Sequence, residues 1–74
     1  MILETPAQTL TARQKVVALN VSRGLTNRQI ARELSISEQT VKNHLREIYG
    51  KSGTGNRVEL AVWIALHPPE TGEA

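Results

Sequence analysis

The chain has 74 residues, no cysteine and only two histidines, His44 and His67, which excludes a disulfide framework and a zinc cluster. One Trp, one Tyr and no Phe leave no aromatic platform for stacking single-stranded bases, and the longest apolar run, Leu60 to Leu66, is far too short to span a bilayer. The net charge is only +2, but all nine Lys and Arg lie between Thr9 and His67 against four of the seven acidic residues, and a basic body with acidic ends suits a polyanionic partner.

Residues 1–8 lack apolar periodicity and read as an N-terminal tail; Met1-Ile2-Leu3 is followed at once by Glu4, unlike a signal peptide. Thr11-Ala12-Arg13-Gln14 has capping-box spacing, a hydroxyl at the first position and a returning amide three residues later. It predicts a first helix over 11–23, ended by Gly24. Thr26-Asn27-Arg28-Gln29 repeats the signal and predicts a second helix over 26–34. Ser37 is a plain N-cap before Glu38 and Gln39, predicting a third helix over 37–50 that stops at Gly50 and Gly53. Asn56-Arg57-Val58-Glu59 opens a fourth helix over 56–66, closed by Pro68-Pro69, and 68–74 reads as a C-terminal tail.

Strand-like alternation is absent, so the fold class is all-α: a four-helix, bundle-like domain over 9–67. Val41, Leu45, Ile48 and Ser52 form one stripe of the third helix; Ile30, Ala31 and Leu34 serve the second and Leu10, Val17 and Val21 the first. Ile36 plugs the gap between them. The three-residue connection Ser35-Ile36-Ser37 forces the second and third helices to cross steeply, as in a helix-turn-helix.

No catalytic or cofactor motif survives inspection. Gly50-Lys51-Ser52 invites a phosphate-loop reading, but a P-loop needs glycine where Leu45 stands and a strand before it. His44 has no carboxylate or nucleophile at a recognisable spacing. The chain is therefore expected not to be an enzyme, and to need no cofactor or metal.

The positive signal lies opposite the apolar stripe of the third helix, where Gln39, Lys42, Asn43, Arg46 and Gly50 fall together. Arg or Lys donating to guanine and Asn pairing with adenine are what a DNA major groove accepts. Lys42, Asn43 and Arg46 are the expected base readers. Thr26, Asn27 and Arg28 at the start of the second helix, Gln39 and Thr40 at the start of the third, then His44 and Lys51, are the expected phosphate contacts.

These residues fall into a family pattern. Leu10-Thr11-x-Arg13, Gly24-Leu25-Thr26-Asn27-Arg28-Gln29-Ile30-Ala31-x-x-Leu34 and Ile36-Ser37-x-x-Thr40-Val41-Lys42-x-His44 resemble the LuxR-type (GerE-like, NarL/FixJ class) helix-turn-helix domain. The match continues through Ile48, Lys51, Gly53, Arg57 and Ala61. The resemblance implies bacterial transcription control by a DNA-bound dimer, often joined through the fourth helix, in the cytoplasm. It also implies output from a receiver or sensor domain, or contact with RNA polymerase. The chain departs from the pattern at Gln14 and Val16, where the family favours Glu, and at Ser35, where it often has Gly.

The fourth helix is apolar all round from Leu60 to Leu66. With Ala61, Val62 and Ala65 inward, Leu60, Trp63, Ile64 and His67 are left outward as the expected homodimer interface on a roughly palindromic site. Val16 and Leu19 are expected as an exposed apolar pair on the first helix. The alternative function is a helical protein-interaction module that pairs with a full-length regulator and binds no DNA itself.

Overall fold

Side-chain caps decide where each helix begins in the computed structural model, which describes residues 9–69. Helix α1 (Ala12–Ser22) starts at Thr11, whose hydroxyl accepts from the Gln14 N–H at 3.1 Å while Gln14 Oε1 accepts from the Thr11 N–H at 3.0 Å. Thr26 and Gln29 repeat that reciprocal pair ahead of helix α2 (Asn27–Leu34). Ser37 Oγ accepts from the Thr40 N–H to open α3 (Glu38–Ser52), and Asn56 Oδ1 accepts from the Glu59 N–H to open α4 (Arg57–Leu66). Each cap satisfies an N–H that the helix leaves unpaired, and is worth about 1 kcal/mol. At α4 the returning half is displaced by one residue: Glu59 Oε1 takes the Gly55 N–H, at 2.7 Å, rather than that of Asn56.

Helix α3 runs through Gly50, where the sequence predicts a stop, and ends at Gly53, which supplies the left-handed backbone (φ +74°) that the terminus needs. The added residues carry Lys51 back to α1, where its ammonium donates to Gln14 Oε1 at 2.9 Å. Only Ser35, Ile36 and Ser37 separate α2 from α3. Ser35 takes the left-handed conformation (φ +58°, ψ +44°), which costs a residue with a Cβ about 1 kcal/mol. Ile36 is half-buried against the core, and its N–H returns to the Ala31 carbonyl at 2.9 Å.

The core is one cluster: Leu10, then Val17, Ala18 and Val21 of α1, Ile30 and Ala31 of α2, Val41, Leu45 and Ile48 of α3, and Leu60 and Ile64 of α4. Helix α1 packs against both α3 and α4, while α2 packs on α3. Among the described residues there is no strand, and no helix is long and apolar enough to cross a membrane. The tail expected at 1–8 lies outside the described residues; of the tail expected at 68–74, Pro68 is exposed and Pro69 buried.

One expected orientation is reversed. Leu60 and Ile64 point into the core, at 0% and 4% exposure, whereas Val62 faces out at 53%. Burying a Leu or Ile is worth about 1.5–3 kcal/mol, so α4 turns Leu60 and Ile64 inward and leaves Ala65 exposed and Ala61 half-buried. The outward stripe is Val58, Val62 and Leu66, one turn apart, with Trp63 and His67 half-buried beside it. On α1, Val16 is exposed as expected, but Leu19 is half-buried against the core.

Glycine therefore stands where the helix does not need it and is missing where the turn does. A Cβ at Gly50 would meet nothing within 4 Å. Gly50→Ala and Ser35→Gly are each expected to raise the unfolding free energy by about 0.5–1 kcal/mol. Denaturant titration of the two variants, singly and combined, checks this.

Candidate nucleic-acid interface

Burial of Val41, Leu45 and Ile48 fixes the rotation of α3, and so dictates what it shows to solvent. Gln39, Lys42, Asn43, Arg46 and Gly50 are all exposed. Gln39 Nε2 donates to Asn43 Oδ1 at 3.1 Å, so the two amides are held together along the helix. Lys42 and Arg46 line one side of an open hollow of about 360 Å³, shared with Leu45 and Tyr49 of α3, Asn27 of α2 and Arg57 of α4. Among the described residues, three cations and no carboxylate border it.

The expected phosphate contacts surround this flank unevenly. Thr26 and Arg28 are exposed and Asn27 is half-buried at the start of α2, whose first turn carries no acidic residue. The positive end of that helix is thus left uncompensated, a setting that favours an anion. Thr40 and His44 are half-buried on α3. The Thr40 hydroxyl shares a hydrogen bond with Ser37 Oγ at 2.9 Å.

Lys51 is placed differently. Besides its bond to Gln14, its ammonium lies 3.4 Å from the Thr9 carbonyl, so it ties the end of α3 to the start of α1. Gln14 is only 3% exposed and completes the knot, donating through Nε2 to Glu47 Oε1 at 2.8 Å. Sequence reasoning assigns Gln14 a cap alone, because its other partners stand 33 and 37 residues away.

Arg57 is the residue that sequence reasoning passes over as a site. Its Nη1 donates to Asn27 Oδ1 at 2.6 Å and its Nη2 to the Leu25 carbonyl at 2.6 Å, joining the starts of α2 and α4. The available signal was a cation in the first turn of a helix, where the dipole opposes it.

Among known families, the one described as bacterial regulatory proteins, luxR family, matches residues 8–64. The chain belongs to this family. It is 44% identical over 62 residues to a probable transcriptional regulatory protein, SgaR, of Hyphomicrobium methylovorum, a match covering 84% of this chain and 28% of that protein. It is 39% identical over 61 residues to the nitrate/nitrite response regulator NarL of Escherichia coli K12, covering 82% and 28%. With the two-component response regulator PprB of Pseudomonas aeruginosa the identity is 48% over 59 residues, covering 80% and 21%. This LuxR-family domain thus spans between about a fifth and little more than a quarter of the length of these relatives. The family accounts for the all-helical architecture and for a role in DNA-binding transcription regulation.

The placement of Lys51 separates two roles. Lys51→Met is expected to cost about 0.5–1.5 kcal/mol of stability, since it removes one of the two hydrogen bonds that Gln14 Oε1 accepts, the Thr11 N–H keeping the other. It should leave the salt dependence of duplex affinity unchanged. Arg28→Ala is expected to spare stability and to lower the slope of log affinity against log salt by about one. Thermal unfolding and duplex titrations across a salt series check both.

Proposed function

We propose that the chain binds double-stranded DNA sequence-specifically, as the output domain of a bacterial transcription regulator, with α3 in the major groove. The observation that carries this reading is the exposed flank of Lys42, Asn43 and Arg46, on a helix backed by the core and preceded by a three-residue turn. Lys42 and Arg46 donate to guanine O6 and N7, and Asn43 reads adenine. Thr26, Asn27, Arg28, Gln39, Thr40 and His44 hold the backbone on either side, fixing register without reading sequence. The domain contributes binding and no chemistry. A receiver or sensor domain, or RNA polymerase, is its partner in signalling, and its place of action is the cytoplasm and nucleoid.

Dimerisation through α4 belongs to the same proposal, with a revised face. Support comes from the stripe Val58, Val62 and Leu66, exposed at 73%, 53% and 71%, since three large aliphatics in a row on one helix face are unusual for a solvated surface. The Trp63 ring borders that stripe, and the His67 ring packs 5.5 Å from it at 49°. A ten-residue helix is only about 15 Å long, and a typical stable interface takes about 800 Å² from each partner. The dimer is therefore weak in free solution and strengthened when two copies share one duplex with two half-sites. The same stripe would serve a heterodimer if the domain acted as an antagonist without DNA affinity.

Selection from a random duplex pool defines the site. On it, Lys42→Ala and Arg46→Ala are each expected to weaken binding by about 1–3 kcal/mol and to relax one base position. Unchanged affinity in both folded variants removes the recognition-helix assignment; absence of any salt-dependent duplex binding by the wild type favours the antagonist. For the dimer, Val62→Glu is the informative change, because Trp63 also packs on the core. Sedimentation with a two-half-site duplex is expected to show two wild-type copies bound cooperatively and Val62→Glu copies bound independently. Cooperative binding by Val62→Glu rejects the α4 interface.

A further inference from the structure

In the hollow between α2, α3 and α4, the link that joins α4 to α2 also fixes the orientation of an amide. An Asn amide can turn either its oxygen or its nitrogen to a neighbour, and most such choices are ambiguous. Asn27 has no choice, because Arg57 Nη1 lies 2.6 Å away and a guanidinium only donates. Oδ1 must face Arg57, and Nδ2, with two donor hydrogens, is turned away from it. No hydrogen bond among the described residues engages Nδ2. Arg57 is itself only half used: of five guanidinium N–H groups, one goes to Asn27 and one to the Leu25 carbonyl. Asn27 and Arg57 both line the hollow, and its other charged lining among the described residues is Lys42 and Arg46.

We propose that Arg57 is a positioning residue for DNA binding, holding the Asn27 amide so that Nδ2 and the remaining guanidinium donors together meet one backbone phosphate in this hollow. The site is built for an anion that accepts several hydrogen bonds and sits beside a duplex groove. A phosphodiester supplies both properties, and its seat adjoins the flank that carries Lys42 and Arg46. Among the described residues no carboxylate lines the hollow to neutralise these cations. The bidentate hold on Asn27 and Leu25 keeps the guanidinium from swinging out to solvent, so the phosphate meets donors already in place. This site rests on the DNA-binding reading above.

Asn27→Asp is the discriminating variant. It keeps an oxygen for Arg57, and with it the link between α2 and α4, but replaces the outward donor with a second acceptor bearing charge. It is expected to unfold at or above the wild-type temperature. Its affinity should fall about tenfold or more on the selected duplex and by the same factor on an unrelated one. Arg57→Gln is expected to weaken both duplexes alike and to lower the salt slope by about one; Arg57→Lys should restore the slope but not the full affinity. If folded Asn27→Asp binds both duplexes with wild-type affinity, the phosphate site is wrong while the DNA-binding reading stands. If Arg57→Gln lowers only the unfolding temperature, Arg57 is a structural strut and the proposal fails. If the wild type binds no duplex, the reading and the site fall together.

Discussion

Everything presented to a partner by this domain depends on how α3 is held against three short neighbours. Val41, Leu45 and Ile48 lie on one side of it, each at most 4% exposed, and burial of that stripe sets the rotation of the opposite face. The three-residue connection sets its direction: Ser35 turns the chain left-handed, Ile36 anchors the turn on the core, and Ser37 caps the new helix. A longer or looser turn would let α3 lie back on α2. The strain at Ser35 is tolerated because packing and capping on both sides determine the turn independently of it.

A core this small gives limited hold on so exposed a helix, and polar cross-links stand on either side of it. Near its C-terminus, Lys51 and Glu47 of α3 converge on buried Gln14 of α1. Across the hollow that its exposed flank borders, Arg57 of α4 is bonded to Asn27 and Leu25 at the start of α2. Both knots join elements distant in sequence and lie outside the apolar cluster, so they fix relative helix positions where aliphatic packing is thin. In Gln14 the amide matters: it accepts from Thr11 and Lys51 while donating to Glu47, which a carboxylate at the same position cannot do.

What the sequence made legible was local. Thr11, Thr26, Ser37 and Asn56 cap their helices as their spacing predicts, because a cap involves residues two or three apart. The buried stripes of α1, α2 and α3 follow from periodicity for the same reason. The exposed flank of Lys42, Asn43 and Arg46 is the complement of such a stripe. Periodicity failed on α4, where every residue from Leu60 to Leu66 is apolar and no stripe stands out; competition for core volume put Leu60 and Ile64 inside. Of the two stops named for α3, the helix passes Gly50 and ends at Gly53, and the added turn brings Lys51 to Gln14. The cross-links made by Lys51, Gln14 and Arg57 were not legible, because these bonds span 30 residues or more, a distance at which no spacing rule operates.

The central claim is that the exposed flank of α3 reads the major groove. Methylation interference on the selected duplex tests it most directly, since one reagent marks guanine N7 in the major groove and adenine N3 in the minor groove. Methyl groups at guanine N7 within the half-sites are expected to block binding, because Lys42 and Arg46 must donate to that edge. Binding that tolerates N7 methylation throughout, and is blocked only by adenine N3 methylation, would contradict the account.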